Sequence, residues 1–232
     1  LIAEVQGAAG ASAAATVEWF DISATSSTVQ PYRVDEDRKS VALNRDIVKQ
    51  WLRDLPHWQA RARFDALVLR AASALLFAPP AWEWKEACEL HVRSVQEGGL
   101  DEAYARAFEG ASAILESHRL DQRLLDLMPD AGDRLTELVL FELEGRPTFD
   151  TCPRAAIVMG RTNLPSDVAQ PVFDEFLDRF GIDEADELGA LLNAYVSLSP
   201  DSVDAMVDLT FDLIFDAFPE AMGLAVYTDD EG

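Results

Sequence analysis

Beyond Asn44, apolar residues recur at intervals of three and four positions, the spacing that places them on one face of an α-helix. Within 58–77, for example, Phe64, Leu67 and Val68 begin such a stripe. Prolines, glycine pairs and capping side chains divide the pattern into segments of helical length. It predicts about nine helices: one that follows the cap Asn44 and ends before Pro56, one over 58–77, one over 81–97, one capped by Asp101, and others over 120–128, 135–143, 167–180, 184–197 and 201–218.

The stretch from residue 17 to residue 43 has a different pattern. It begins with a short run of β-branched and aromatic residues around Trp19 and continues through polar and charged turns to Val41 and Leu43. Such runs are typical of short strands, so two or three strands are expected here. The predicted fold class is therefore mainly α, an irregular multi-helix bundle or array with a short N-terminal β element.

Small residues and chain breakers suggest where this fold divides. The Ala-rich residues 1–16 are expected to form a flexible N-terminal segment. Residues 17–145 would then form the β element plus a helical subdomain, and the Pro- and Gly-containing stretch 146–165 a connecting loop. Residues 166–232 would form an acidic C-terminal helical subdomain. One continuous domain over 17–228 is the alternative.

The length of the charge-free runs and the cysteine content indicate where in the cell the protein is expected. Beyond the N-terminal segment the longest charge-free run is 188–200, which is shorter than the roughly 18 residues of a membrane span, so no membrane partner is expected. The two cysteines, Cys88 and Cys152, are too few for a disulfide framework. Reduced thiols and a cytoplasmic location are the resulting expectation.

The charge of the chain is strongly negative and uneven. The net charge is −23, with 42 acidic residues against 19 lysines and arginines. Residues 1–119 hold 13 basic and 17 acidic side chains, whereas residues 120–232 hold 6 basic and 25 acidic ones. Such a field repels nucleic-acid phosphates and anionic membranes and favours basic partners, so direct nucleic-acid binding is not expected. A halophilic or compositional origin would also explain the total charge, although not its asymmetry.

The most unusual local feature is a run of acidic residues spaced four apart, together with a second acidic group just upstream. Like charges at this spacing, and acid near a helix C-terminus, cost about 1–2 kcal/mol in total. The run is interpreted either as a solvated helix face or as a docking stripe for a basic protein partner. The candidate partner-binding residues are Asp204, Asp208, Asp212, Asp216, Glu220, Asp183, Glu184, Asp186 and Glu187.

No familiar catalytic or cofactor-binding motif is present. Cys88 and His91 stand three residues apart, as in half of a metal site, but no second pair supplies the other half. A packed thiol and a surface histidine are expected instead, and no metal, cofactor or catalytic residue is predicted. Trp82 and Trp84 lie on different faces of one predicted helix. Both are expected in the core, with an exposed interface anchor at one of them as the alternative.

These observations together favour a non-enzymatic protein–protein interaction module, such as an adaptor, an inhibitor, or an immunity- or chaperone-like protein. Its acidic C-terminal half would dock a basic partner. A DNA mimic is the first alternative, although one charge per roughly 6 Å of helix is sparse beside the roughly 1.7 Å of duplex DNA. An enzyme whose site is assembled from distant residues is the second. The sequence does not indicate an oligomeric state.

Overall fold

The computed structural model describes residues 1–10, 16–20, 32–35, 40–97, 102–144, 151–159 and 164–214. Within these residues the chain forms ten α-helices and a small three-stranded sheet, which confirms the mainly α fold class. None of these helices, taken singly, has both the length and the apolar composition needed to cross a membrane. The elements are α1 Ile2–Ala8, β1 Thr16–Phe20, β2 Tyr32–Asp35, β3 Ser40–Asn44, α2 Arg45–Asp54, α3 His57–Phe77, α4 Ala81–Glu97, α5 Glu102–Leu127, α6 Gly132–Glu144, α7 Thr151–Met159, α8 Ser166–Phe180, α9 Ile182–Ser197 and α10 Val203–Asp212.

The chain divides into two units. The first comprises Leu1–Ala78 and Leu120–Glu144, and the second comprises Pro79–Arg119 and Gly145–Gly232. This division differs from the expected one, because α4 and most of α5 belong with the C-terminal part of the chain. The chain leaves the first unit after α3 and returns to it within α5, and this excursion leaves no composition signal in the sequence.

The sheet belongs to the first unit, and its central strand is β3. Strand β1 pairs with β3 in parallel, with Val17 beside Val41, and β2 pairs with it antiparallel, with Val34 beside Val41. Most of β3 is buried, and α3 packs against both β2 and β3. The expected two or three short strands are thus confirmed as three.

Two segments expected to lack structure contain helices. Residues 2–8 of the expected flexible segment form α1, which packs on α3 and buries Ile2 and Val5. Residues 151–159 of the expected connecting loop form α7, in which 155–158 are buried and which packs on α8 and α9. In both places burial of apolar side chains stabilises a short helix that would be marginal alone.

The helix boundaries follow the sequence signals in most places and depart from them in one. The Asn44 side chain accepts hydrogen bonds from the backbone N–H groups of Asp46 and Ile47 at 3.0 and 3.3 Å, so the predicted cap of α2 is confirmed. In contrast, the helix capped by Asp101 and the helix over 120–128 are one continuous helix, α5. No proline or glycine lies between Ala111 and Met128, so nothing breaks the helix there.

Ion pairs of two buried arginines connect α3 with α5 and α6 in the first unit. The Arg70 side chain, 2% exposed, donates through Nε to Oδ1 of Asp121 at 2.7 Å and pairs also with Glu142. Arg63 lies about two turns earlier on α3, and its Nη2 atom donates a hydrogen bond to Oε1 of Glu144 at 2.9 Å. Burial works to lower the pKa of Arg70, but Asp121 and Glu142 outweigh it and hold that pKa well above its ordinary value. The α3–α6 contact therefore depends on matched charges as well as on apolar packing.

In the second unit, α8 and α9 are joined directly at Gly181. This glycine has a φ of 98°, in the region that L residues rarely adopt, and a Cβ added there would meet Oε2 of Glu184 at 3.0 Å. We expect Gly181→Ala to lower the free energy of unfolding by about 1–3 kcal/mol.

Gly110, within α5, provides the control for this prediction. A Cβ added at Gly110 meets nothing within 4 Å, so Gly110→Ala should instead raise the free energy of unfolding, by about 0.5–1 kcal/mol. Urea unfolding of both variants tests the pair. Equal effects of the same sign would contradict the assignment of strain to Gly181.

Candidate functional site

Helix α10 carries part of the predicted acidic run on its solvent-facing side. Asp204 and Asp208 are exposed, whereas Asp212 is partly buried. The opposite side of α10 buries Val203, Met206, Val207 and Thr210. Asp216 and Glu220 lie outside the described residues. The described part of the run is thus an acidic face on a helix whose other face is held in the core.

The second predicted acidic group lies at the start of α9. Asp183, Asp186 and Glu187 are exposed, and Glu184 is partly buried beside Gly181. Two of these residues, Asp183 and Glu184, occupy the first turn, where the helix dipole stabilises negative charge. The helix dipole therefore explains the positions of Asp183 and Glu184. In α10 it explains only Asp204, which is also in a first turn, and not the acidic residues that follow it.

A groove between α4 and the start of α10 brings together residues that are far apart in the sequence. It has a volume of about 190 Å³ and lies within the second unit. Asp204 lines this groove, so one of the predicted partner-binding residues lies in a concave surface. The residues that line it are Glu83, Glu86, Ala87, Leu90, Asp201, Val203 and Asp204.

Four of the seven lining residues are carboxylates. Among the described residues, no ion pair within 4.0 Å involves Glu83, Glu86, Asp201 or Asp204. The lysine of α4, Lys85, is paired with Glu89 at 3.6 Å. The groove consequently combines a concentrated negative potential with the apolar side chains of Leu90 and Val203.

The exposed surface of α4 extends this apolar character. Leu90 is 55% exposed and Trp82, two turns earlier, is 66% exposed. The expectation that both tryptophans of this helix are in the core is therefore wrong for Trp82, while Trp84 is partly buried. Trp82, Glu86 and Leu90 are spaced four residues apart, so they follow one stripe along the helix. Tryptophan is enriched at protein interfaces and among the residues that contribute most to binding.

Immediately beside the groove, His91 is held by aromatic side chains rather than exposed as expected. Its Nε2 atom lies 2.6 Å from the Tyr104 hydroxyl, and its ring stacks on Phe108 at 4.7 Å and meets Phe211 edge-on at 5.4 Å. Burial lowers the pKa of His91, and the negative charge of Asp208 opposes that shift. The cluster connects α4, α5 and α10, and thereby holds the two groove-forming helices together.

A second polar cluster lies deeper in the same unit. Arg119, fully buried, forms two hydrogen bonds with Glu116 at 2.7 and 2.8 Å and donates to the carbonyl oxygen of Leu198 at the end of α9. Burial raises the pKa of Glu116, although Arg119 opposes this. The pKa of Tyr195 is raised well above its usual value, first by burial and then by the charge of Glu116. These contacts close the C-terminus of α9 and connect it with α5.

Neither cluster has a geometry that indicates a metal centre. In the part of the chain that the structure describes, no three His, Cys, Asp or Glu side chains are arranged to hold a metal ion. Cys88 carries a free thiol, and the side chain of Cys152 lies outside the described residues.

Of the groove residues, sequence reasoning missed Glu83 and Glu86, because nothing local relates them to α10, more than a hundred residues further along the chain.

Comparison with known proteins adds no family to this description. Models of known protein families, curated proteins and solved structures were each compared with the chain, and none matches. The function must therefore be argued from the site itself.

Proposed function

We propose that this protein is a non-enzymatic interaction module that docks a basic protein partner through the acidic surface that α10, in its acidic C-terminal half, forms with α4. The observation that carries the proposal is the groove between α4 and α10, which is lined by four carboxylates and three apolar residues. Among the described residues, none of these carboxylates forms an ion pair within 4.0 Å. Unpaired acidic residues in a concavity attract cations, and the adjoining apolar surface contributes once water is excluded.

The size of the groove supports a protein partner over a small molecule. Its volume of 190 Å³ is below the roughly 300–1,000 Å³ of most small-molecule sites. A protein partner can instead use the groove together with the exposed surface of Trp82, as interfaces with an aromatic anchor do. The charge asymmetry of the chain would speed the encounter by electrostatic steering.

Salt dependence of binding tests the proposal. We expect a lysine- and arginine-rich peptide to bind the wild-type protein, with an affinity that falls about tenfold or more between roughly 50 mM and 500 mM salt. Fluorescence anisotropy with the labelled peptide measures this, and a charge-inverted acidic peptide is the control. Association that does not change with salt would contradict an electrostatic docking surface.

A competition measurement then separates this function from DNA mimicry. Once a natural partner is known, duplex DNA should leave its binding to this protein unchanged if the acidic half recognises a site that does not bind DNA. Displacement of the protein by duplex DNA would favour mimicry instead.

A further inference from the structure

We infer that the docking site is the α4–α10 groove and that its occupant is a basic segment presenting one large apolar side chain between flanking lysine or arginine residues. This inference rests on the proposed function and assigns both its location and the chemistry of the partner. It follows from the groove's volume, from the arrangement of its charges and from its apolar lining residues.

The volume limits how much apolar material can enter. A cavity of 190 Å³ accommodates one large aliphatic or aromatic side chain. Leu90, Val203 and Ala87 are the apolar lining residues that such a side chain would contact. Because burial of one leucine-sized side chain changes affinity by about tenfold or more, a single anchor is enough to create a measurable preference.

The charges determine what must flank that anchor. Glu83 and Glu86 lie on the α4 side of the groove, and Asp201 and Asp204 lie at the start of α10. An apolar side chain seated between them therefore has carboxylates on both sides. A segment with cations both before and after its anchor matches this arrangement, whereas an acidic or neutral segment would leave four carboxylates facing the interface without compensation.

The acidic residues of α9 provide the comparison. Asp186 and Glu187 are exposed, as are Glu86 and Asp204 of the groove, but they are not among the residues that line the groove. They contribute to the overall negative field without an adjoining apolar concavity. The two groups thus separate site-specific docking from attraction by net charge alone.

Two synthetic peptides test the apolar requirement. Both carry the same lysine and arginine residues on either side of a central position, which is leucine in one and glycine in the other. We expect the wild-type protein to bind the leucine peptide about tenfold more tightly. Leu90→Ser should reduce that preference to about threefold or less, whereas Leu52→Ser, a change at a similarly exposed leucine of α2, should leave it intact.

Charge reversals of equal size test the location. Glu86→Lys combined with Asp204→Lys should weaken binding of the leucine peptide by about tenfold or more, and Asp186→Lys combined with Glu187→Lys by about threefold or less. Circular dichroism checks that both variants fold. If the groove reversal does not fold, Glu86→Gln with Asp204→Asn is compared with Asp186→Asn and Glu187→Gln, and the same order of effects is expected.

The outcomes distinguish the inference from the function on which it rests. Equal binding of the two peptides, or equal weakening by the groove and α9 variants, would overturn the groove as the docking site while leaving acidic docking in place. Absence of binding by either peptide to the wild-type protein at low salt would overturn both.

Discussion

Replacing Asp121 with alanine should destabilise the protein by about 3–5 kcal/mol. Asp121 is fully buried in α5 and accepts two hydrogen bonds from Arg70, which is itself buried in α3. Without Asp121, Arg70 would retain Glu142, which is 26% exposed, but lose its fully buried ion-pair partner. The loss is large beside the roughly 5–15 kcal/mol of a typical domain, so urea unfolding should resolve it clearly.

A double variant shows whether the unpaired charge is the cause. Arg70→Met alone should also be strongly destabilising, because it removes the guanidinium that pairs with Asp121 in the core. Arg70→Met combined with Asp121→Leu should cost much less than the two single effects added together, since neither charge remains. Asp54→Ala, which removes an exposed partner of Arg53, should leave the unfolding midpoint nearly unchanged. Additive effects of the two buried variants would contradict a coupled pair.

The Cys88 thiol should be protected from alkylation in the folded protein. Burial raises its pKa from 9.0 to about 11, so the thiolate fraction at pH 8 falls by about a hundredfold. Because thiolates of higher pKa are intrinsically more nucleophilic, part of this loss is recovered. We expect the alkylation rate at pH 8 to be about tenfold or more below that of the denatured chain. Iodoacetamide labelling of a Cys152→Ser variant, followed by mass spectrometry, measures Cys88 alone.

The same shift has a consequence for stability at alkaline pH. The folded-state pKa of Cys88 lies above its unfolded value, so folding favours the protonated thiol. The contribution of Cys88 to stability is complete below the unfolded pKa and is lost as the pH rises through about 11. Cys88→Ser should therefore reduce the loss of stability above pH 9. In the labelling experiment described above, equal alkylation rates of Cys88 in the folded and denatured states would contradict the burial of this thiol.

Several elements of the fold were predictable because their signals are local. The periodicity of 58–77 and the proline that follows define α3, and Asn44 with the following amides defines the start of α2. Local signals do not predict an element whose formation depends on tertiary packing. Residues 2–8 have too little helical preference to predict α1, yet Ile2 and Val5 are buried there. The division of α5 into two predicted helices fails because Arg119 and Asp121, two charged residues at the expected boundary, are themselves buried and paired with Glu116 and Arg70.

The candidate site was predictable only in part, for the same reason. The spacing of Asp204 and Asp208 indicates an acidic face, and the structure describes both as exposed. The partnership of that face with α4 leaves no trace in the sequence, since Glu83 and Glu86 read as ordinary polar positions of an amphipathic helix. Trp82 shows the limit most clearly. Its size favours the core, but Trp82 is 66% exposed, on a helix none of whose described residues is fully buried.

The mainly α composition, most helix boundaries, the short strands and the excess of negative charge towards the C-terminus follow from local sequence. These properties depend on residue type and on neighbours within a turn or two. Packing of the whole chain is needed to establish which helices meet, which arginines are neutralised in the core and which carboxylates share a groove. Those outcomes depend on burial and on contacts between distant residues, and the free energy of such contacts is defined only once the chain is packed.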